Sequence, residues 1–232
     1  MKYLYSLMLL IFLIIACDVD QKIKEKPSAE SSSIRIVTLS PHLGEMMYEL
    51  EAGGMLVGVS AYSKYPEAIL TKPLIGDAFM LDLEQISLLR PDIIFAWEDG
   101  TPPRIIDELR DLNYRVEVIR SSRLQDIPLA LELIGSLIGK QAQASLVANN
   151  YLKELIELKE VYENKDSIRV FFQIDERPLF TVGGSHYISE LIHACGGVNI
   201  FNDLSQLAPS VSIESVIIGD PEVILTSASL KE

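Results

Sequence analysis

The sequence predicts an α/β protein of two lobes, each with a small, mostly parallel sheet flanked by helices, joined by a long spine helix. One reason is a repeat, in which LDLEQISLLRPDIIFAW at residues 81–97 matches VSIESVIIGDPEVILTS at residues 211–227 in pattern. In each copy a capping residue, Asp82 or Ser212, begins a short helix, and a proline followed by an acid ends it before an apolar strand. The other reason is that strands alternate with helices on both sides of a long helical stretch.

The repeat places one glutamate in the first turn of each helix. Glu84 and Glu214 stand two positions after the capping residue, where the helix dipole stabilises a carboxylate and solvent reaches it. Two matched acidic side chains on two lobes favour docking to a partner over catalysis. The alternative is that each glutamate only stabilises its own helix, as acidic first-turn residues commonly do.

The composition describes a globular chain and excludes one class of partner. With 232 residues and 48% hydrophobic content, the chain can bury a sizeable core. Its formal net charge is −13, and its Lys and Arg residues form no cluster. Because phosphate contacts need a basic face, we expect no nucleic-acid partner.

The N-terminus predicts export and lipidation. The apolar run at residues 7–16 is shorter than the roughly 20 residues that a membrane-spanning helix needs, so residues 1–16 predict a signal peptide. The segment IIAC resembles a lipobox whose Cys17 would carry lipid, and residues 17–33 would form a tether. Asp18 resembles a signal for retention at the inner membrane, on the periplasmic side. An uncleaved anchor, or a secreted protein with an incidental cysteine, is the alternative.

Lipidation of Cys17 would leave the other cysteine, Cys195, without a partner in this chain. Export to an oxidising compartment makes a disulfide chemically feasible, so one interpretation is a partner beyond the end of the sequence. The other interpretation is a buried free thiol, since free cysteines often behave as small core residues.

Residues 34–122 predict the N-terminal lobe, an open sheet with crossover helices. The expected elements are strands at 34–39, 57–60, 92–97 and 115–119, a helix from Pro41 that Gly53-Gly54 ends, and a helix at 102–112. Open parallel sheets place ligands at the carboxyl ends of their strands. Tyr62 and Trp97 fall at two such ends.

Residues 123–166 predict a helical linker and spine, with helices at 126–139 and 141–164. The second would be roughly 35 Å long at 1.5 Å per residue, so it would hold two lobes at a nearly fixed spacing. Two ordinary packing helices within one domain are the alternative.

Residues 167–232 predict the C-terminal lobe, which starts with the strand RVFFQI. Phe180 stands at a later strand end, before the turn Gly183-Gly184. This turn would either present backbone amides to a ligand or only reverse the chain. It lacks the G-x-G-x-x-G spacing of a dinucleotide site.

Enzymatic chemistry has little support, because catalysis needs converging acid, base or nucleophilic groups. Only three histidines are present, His42, His186 and His193. His193 and Cys195 are two residues apart, and on a helix such a pair points in different directions, so it forms no chelate. We therefore predict no enzyme, no metal site and no cofactor.

Five segments together resemble one protein family: IRIVTLSPHLGEM, LVGVSAYSKYPE, IGDAF, LDLEQISLLRPDIIFAW and CGGVNIF. From about Ile34 to its last residue, the chain resembles the cobalamin-binding proteins of bacterial ABC importers. The wider family of helical-backbone periplasmic binding proteins also includes siderophore and haem binders. The resemblance implies a protein that captures cobalamin (vitamin B12) or a related corrinoid and delivers it to a permease dimer.

The resemblance also implies roles for particular residues. The tyrosine of the VSAYS motif, here Tyr62, contacts the corrin in that family. Trp97 and Phe180 are the next candidates, because aromatic faces suit a large, flat ring edged with amides. The lobe-tip glutamates of the family pair with arginines of the permease, and they match Glu84 and Glu214. Packing roles are the alternatives for all three aromatic residues.

The chain departs from the family pattern at an aromatic wall and at its end. Ala78, with Phe79 beside it, and Ala208 stand where some members carry aromatic residues. Members continue past the position of Glu232 with a strand, a loop, a helix and often a cysteine that would pair with Cys195. We therefore expect an incomplete second lobe, truncated at its C-terminus, with the strand near residues 223–225 unpaired at one edge.

Two other interpretations stay open after the resemblance. In a haem or iron-siderophore carrier of the same fold, His42 or Tyr62 would lie at the iron. In a truncated lipoprotein, ligand binding would be lost and only the interaction with a partner would remain.

Overall fold

The structure is a computed structural model that describes residues 33–77 and 80–227. The predicted signal peptide, nearly all of the predicted tether with Cys17, and the pair Ala78 and Phe79 lie outside the described residues. Within the described part, no helix is both long and apolar enough to cross a membrane.

The first lobe contains a four-stranded parallel sheet. Its elements are β1 (Ile36–Thr38), α1 (Pro41–Glu49), β2 (Leu56–Val59), α2 (Leu83–Leu89), β3 (Ile93–Trp97), α3 (Pro103–Asp111) and β4 (Val116–Ile119). The strand order is β2-β1-β3-β4, and every neighbouring pair is parallel. Short 3₁₀ turns at Gly53–Met55 and Glu67–Thr71 flank β2.

Two long helices and a smaller sheet follow. They are α4 (Asp126–Ile138), α5 (Gln141–Tyr162), β5 (Ile168–Gln173), β6 (Asp175–Glu176), β7 (Leu179–Phe180), α6 (Tyr187–Ala194), β8 (Gly197–Asn199), α7 (Ile213–Gly219) and β9 (Val223–Thr226). The described second sheet has the parallel order β8-β5-β9, and β6 pairs antiparallel with β7. The two-lobed α/β fold predicted from the sequence is therefore confirmed.

Alternation along the strands builds a core on each face of the first sheet. Ile93 and Phe95 pack on one face with residues of α1, α4 and α5, including Met47. Ile94 and Ala96 pack on the other face with residues of α2 and α3. A parallel sheet covered by helices on both faces has apolar strands throughout, as β3 does.

The repeated helices α2 and α7 have the boundaries and caps that the sequence predicts. The side chain of Asp82 accepts a hydrogen bond from the backbone N–H of Gln85 (2.8 Å), and Ser212 Oγ accepts one from Ser215 (3.2 Å). Each helix ends at a left-handed residue before the proline, with φ of 45° at Arg90 and 43° at Asp220. The two units therefore fold alike from local signals.

The structural repeat extends to an arginine in each lobe that was not predicted from the sequence. The backbone N–H of Arg35 donates to Asp92 Oδ2 (2.7 Å), and that of Arg169 donates to Glu222 Oε2 (2.8 Å). The guanidinium of Arg35 also donates to the carbonyl of Leu89, the last residue of α2, and that of Arg169 donates to the carbonyl of Asp220, the residue that follows α7. The signal was available, since SIRIV at residues 33–37 matches SIRVF at residues 167–171.

Helix α1 ends earlier than predicted. We expected Gly53-Gly54 to end it, but the last helical residue is Glu49, and Leu50 caps the end. Glu51 takes the left-handed conformation, with φ 52°, that was expected of a glycine. The prediction was wrong because Gly53-Gly54 instead begins a 3₁₀ turn into β2.

Strand β9 differs from its counterpart in the first lobe. Among the described residues β9 pairs only with β5, and Val223, Ile224 and Leu225 are exposed. The matching residues of β3 are buried, because helices cover both faces of the first sheet at that strand. An incomplete second lobe stays a prediction.

The two N-caps predict matched effects on stability. D82A and S212A each remove the acceptor for a first-turn N–H, so we expect each to lower the unfolding free energy by about 1 kcal/mol. Urea denaturation at pH 7 measures the change. D82N and S212T keep an acceptor and serve as controls, and equal loss in the alanine variants and these controls would contradict a capping role.

Candidate functional site

Tyr62 lies in a tight turn directly after β2. Ala61 donates its backbone N–H to the carbonyl of Gly76 (2.7 Å), and Ser63 donates to that of Ser60 (3.4 Å), which fixes the turn on both sides. Tyr62 itself has φ 68°, and 76% of the residue is exposed. A bulky residue rarely adopts this conformation, and such strain concentrates at functional positions. The turn thus presents the aromatic ring to solvent.

Trp97 ends β3 beside the same edge of the sheet. Its backbone N–H donates to Thr101 Oγ1 (3.0 Å), and its half-buried ring meets the His42 ring edge-on at 5.0 Å between centroids. Gly100 packs so closely that a Cβ there would overlap the indole. The indole N–H is buried and has no hydrogen-bond partner in the described part of the chain.

One cavity brings Tyr62 and Trp97 together. It has a volume of about 410 Å³, which is within the usual range for small-molecule sites. Its lining is Leu39, Ser40, Pro41, Ser60, Ala61, Tyr62, Asp77, Trp97 and Gly100. These residues follow β1, β2 and β3, so the cavity lies at the carboxyl ends of parallel strands.

Three polar lining residues were not singled out from the sequence. Ser60 is the first residue after β2, Ser40 is the second residue after β1, and Asp77 lies in the loop that holds the Tyr62 turn. The position of the serines at strand ends was the available signal. Hydroxyl groups beside two aromatic rings would let the cavity bind an apolar face and hydrogen-bond its polar edge.

Phe180 is not part of this cavity. It lies in β7 of the second lobe, where it is half-buried and pairs with Asp175 across the hairpin. Phe180 also forms an isolated bridge with Ser210. The cavity lining comes from the first lobe alone, so a role for Phe180 in binding stays a prediction.

His42 is held between two serine hydroxyls. Its Nε2 lies 2.9 Å from Ser121 Oγ, and its Nδ1 lies 3.3 Å from Ser40 Oγ. Burial lowers the pKa of His42 to about 4, so the ring is neutral at pH 7. Both ring nitrogens are engaged inside the fold, which leaves neither directed at a ligand in this arrangement. The described residues contain no cluster of three His, Cys, Asp or Glu that could hold a metal ion.

The Gly183-Gly184 turn offers no amides to a ligand. Gly183 donates its N–H to the carbonyl of Leu207 (3.1 Å), and Gly184 donates to that of Leu204 (2.9 Å). A side chain at either glycine would collide with backbone carbonyls of the same loop. Of the two interpretations in the sequence analysis, chain reversal with close packing is the correct one.

Cys195 caps the C-terminal end of α6 and is exposed. The interpretation as a buried free thiol is therefore wrong, because the residue follows the last turn of α6 and is exposed to solvent. No disulfide partner occurs among the described residues.

A carboxylate joins the second lobe to the linker. Glu190 of α6 accepts one hydrogen bond from Arg123 Nε (2.7 Å) and another from the backbone N–H of Leu124 (3.0 Å). This pairing raises the pKa of Arg123. Burial, followed by the charge of Glu190, raises the pKa of Tyr151 on α5. The junction thus ties α6 to the start of the helical linker.

Glu84 and Glu214 are exposed in the first turns of α2 and α7, as the sequence predicts. Hydrogen bonds from its own backbone N–H and from the Ser212 hydroxyl lower the pKa of Glu214, so its charge persists to lower pH. Each lobe therefore carries one solvent-facing carboxylate at an equivalent position.

Comparison with known proteins identifies one family. A family model described as periplasmic binding protein matches residues 36–232. The vitamin B12-binding protein of Vibrio cholerae serotype O1 (strain ATCC 39541) is 35% identical over 193 residues, which are 83% of this chain and 70% of that protein. These matches confirm the resemblance that the sequence motifs predict.

Solved structures give the same result for the fold. The periplasmic vitamin B12 binding protein BtuF of Vibrio cholerae aligns with a TM-score of 0.76 at 35% identity, over 83% of this chain and 76% of that chain. The periplasmic heme-binding protein RhuT from Roseiflexus sp. RS-1 aligns with a TM-score of 0.77 at 23% identity, over 84% and 76%. At 23% identity, the similarity to RhuT shows only that the two chains share a fold.

The environment of His42 predicts a pH-dependent stability. An unfolded histidine takes a proton near pH 6.5, whereas the folded His42 does so near pH 4. Between these values the unfolded chain binds the extra proton, so the unfolding free energy falls as the pH drops from 6.5 to 4, by up to about 3 kcal/mol. Urea denaturation at pH 7.5 and 4.5 measures the fall. H42N lacks this titration, and parallel pH profiles of both proteins would contradict the assignment.

Proposed function

The chain belongs to the periplasmic binding protein family, and we propose that it captures cobalamin or a related corrinoid and delivers it to the permease of an ABC importer. The observation that carries this proposal is the cavity at the strand ends, which is lined by Tyr62 and Trp97. Relatives at 35% identity that are named vitamin B12-binding proteins support the choice of ligand.

The chemistry of the cavity fits a corrin. Such a ring is large, mostly flat and edged with amides, so it needs aromatic faces and hydrogen-bonding groups more than charges. Tyr62 would cover one face, Trp97 would form the wall, and the serine hydroxyls would reach the edge. Phe180 of the second lobe would contact the ring from the other side. Capture would need no covalent step.

Delivery would use the two lobe tips. Glu84 and Glu214 would each pair with a basic side chain on one subunit of the permease dimer, since exposed charges steer association and fix its register. Cys17 would carry the lipid that anchors the chain to the inner membrane, on the periplasmic side. Anchoring would keep the carrier close to its permease.

The first test is a ligand titration of protein that begins after Cys17. We expect cyanocobalamin to quench the fluorescence of Trp97, the single tryptophan, saturably after inner-filter correction, and haem not to do so. In Y62N, asparagine keeps the left-handed turn and removes the ring, so we expect cobalamin affinity to fall by at least about tenfold. Y187N, at an exposed tyrosine on α6, is the matched control.

Each result of the titration has one meaning. Quenching by haem alone would favour the alternative in which this chain carries haem. If neither ligand quenches the fluorescence of protein that circular dichroism shows to be folded, ligand capture is contradicted. That result would favour a lipoprotein that binds a partner and no ligand. Equal affinity of Y62N and wild type would remove Tyr62 from the site.

The second test separates capture from delivery. Because Glu84 and Glu214 are exposed, charge reversal in the double variant E84K/E214K should abolish corrinoid uptake and leave cobalamin affinity within twofold of wild type. Uptake of labelled cobalamin by cells, with titration of the purified variant, measures both. E160K/E163K, which changes the net charge equally at exposed positions near the end of α5, is the control. Loss of cobalamin binding in E84K/E214K would refute this division of roles.

A further inference from the structure

Helices α2 and α7 share a second exposed feature besides their glutamates. Leu88 is 70% exposed and Ile218 is 84% exposed, and these two residues occupy the same position in the two copies of the repeat. A single exposed leucine needs no explanation. An apolar residue that is exposed at the same position of both lobes does need an explanation.

Helical geometry places each of these side chains on the outer face. Ile86 of α2 and its counterpart Val216 of α7 are buried against the sheets. Leu88 follows Ile86 by two residues, about 200° around the helix, so it points away from the lobe core. Glu84 is four residues before Leu88 and lies on the same face.

Packing within the fold does not explain why an apolar residue stands at the position of Leu88 and Ile218. Leu88 stays exposed although β4 and α3 complete the first lobe around α2. Helix propensity does not account for it either, because isoleucine at position 218 is a poorer helix former than leucine. The positions between the shared residues differ freely, as Gln85 and Ser87 correspond to Ser215 and Ile217.

The other exposed apolar residues of α7 and β9 have no counterpart in the first lobe that is both apolar and exposed. Ile224 and its neighbours in β9 correspond to β3 residues that helices cover on both faces of the first sheet. Ile217 corresponds to the polar Ser87, so the two lobes do not share an apolar residue there. Only the position of Leu88 and Ile218 is apolar and exposed in both copies of the helix.

We propose that Glu84 with Leu88, and Glu214 with Ile218, form two equivalent docking patches, each a carboxylate beside an apolar side chain. Each patch fits a recess that combines a basic and an apolar side chain on one subunit of a two-fold symmetric membrane permease. Charge complementarity selects a basic partner, and two equal patches select a partner with two equal recesses. The inference rests on the proposed delivery to an ABC importer.

The two parts of a patch contribute differently. Exposed ion pairs weaken as salt rises, because ions screen them over about 10 Å at 0.1 M. Burial of an apolar side chain does not depend on screening, and buried apolar contacts surrounded by polar ones carry much of the affinity of interfaces. Leu88 and Ile218 would therefore hold the complex at ionic strengths where the glutamates alone are weak.

The test measures the affinity of the full chain for the permease dimer of the organism that encodes it, reconstituted in lipid nanodiscs, at 50 and 300 mM salt. We expect L88S/I218S to bind at least tenfold more weakly at both salt concentrations and to keep the wild-type affinity for cobalamin. We expect E84Q/E214Q to lose most of the salt dependence instead. L88M/I218M should restore binding, and L129S/L146S, at exposed leucines of α4 and α5, is the matched control.

A second variant keeps the test valid if the serine substitutions disturb the helices. L88K/I218K keeps a good helix former at exposed positions and places a cation opposite a basic recess, so it should also bind at least tenfold more weakly. Binding of both double variants within twofold of wild type, with weaker binding of E84Q/E214Q, would overturn the apolar contribution and leave the proposed function intact. Failure of the wild-type protein to bind the permease would overturn both.

Discussion

Parallel pairing of the strands is the constraint on which the placement of the cavity residues and of the two lobe-tip glutamates depends. In a parallel sheet all strands end at one edge, which brings Ser40, Ser60 and Trp97 together from distant parts of the chain. A helix that leads directly into a parallel strand runs opposite to it, so its N-terminus lies near the same edge. Glu84 and Glu214 therefore lie toward the strand-end side of their lobes. A permease that binds both would approach the molecule from the side at which the ligand is held.

The spine helix α5 and the hydrogen bonds of Glu190 bear on how far the two lobes would move when a ligand binds. Helix α5 has 22 residues, about 33 Å, and packs on the first lobe through Ala144 and on the second through Tyr162, which contacts Gly196. Glu190 adds two charge-assisted hydrogen bonds between α6 and the linker. With both connections in place, we expect the lobes to approach each other only slightly. The partner would then meet the two docking patches in nearly one geometry, loaded or empty, and would have to recognise the ligand itself.

The sequence predicted the features that local signals determine and missed those that distant residues determine. Asp82 and Ser212 cap their helices as expected, because a cap needs only its own first turn. The amides of Gly183 and Gly184 could not be assigned, since their acceptors lie about twenty residues further along the chain. The bond between His42 and Ser121 spans 79 positions and leaves no local pattern. Tyr62 and Trp97 were placed at strand ends by the strand pattern, and the motif resemblance then linked Tyr62 to a ligand, but their shared cavity depends on tertiary packing.

The surroundings of His42 and Tyr62 bear on the choice between a corrinoid and haem. Iron ligation by His42 would require breaking its contact with Ser121 and rotating a ring that now packs edge-on against Trp97. Haem also carries two propionate groups, whose negative charges a nearby cation would best offset. The described lining of the cavity contains a carboxylate, Asp77, and no Lys or Arg. A cavity of aromatic faces, hydroxyls and one acid is therefore better matched to a ring edged with neutral amides than to a ring edged with carboxylates.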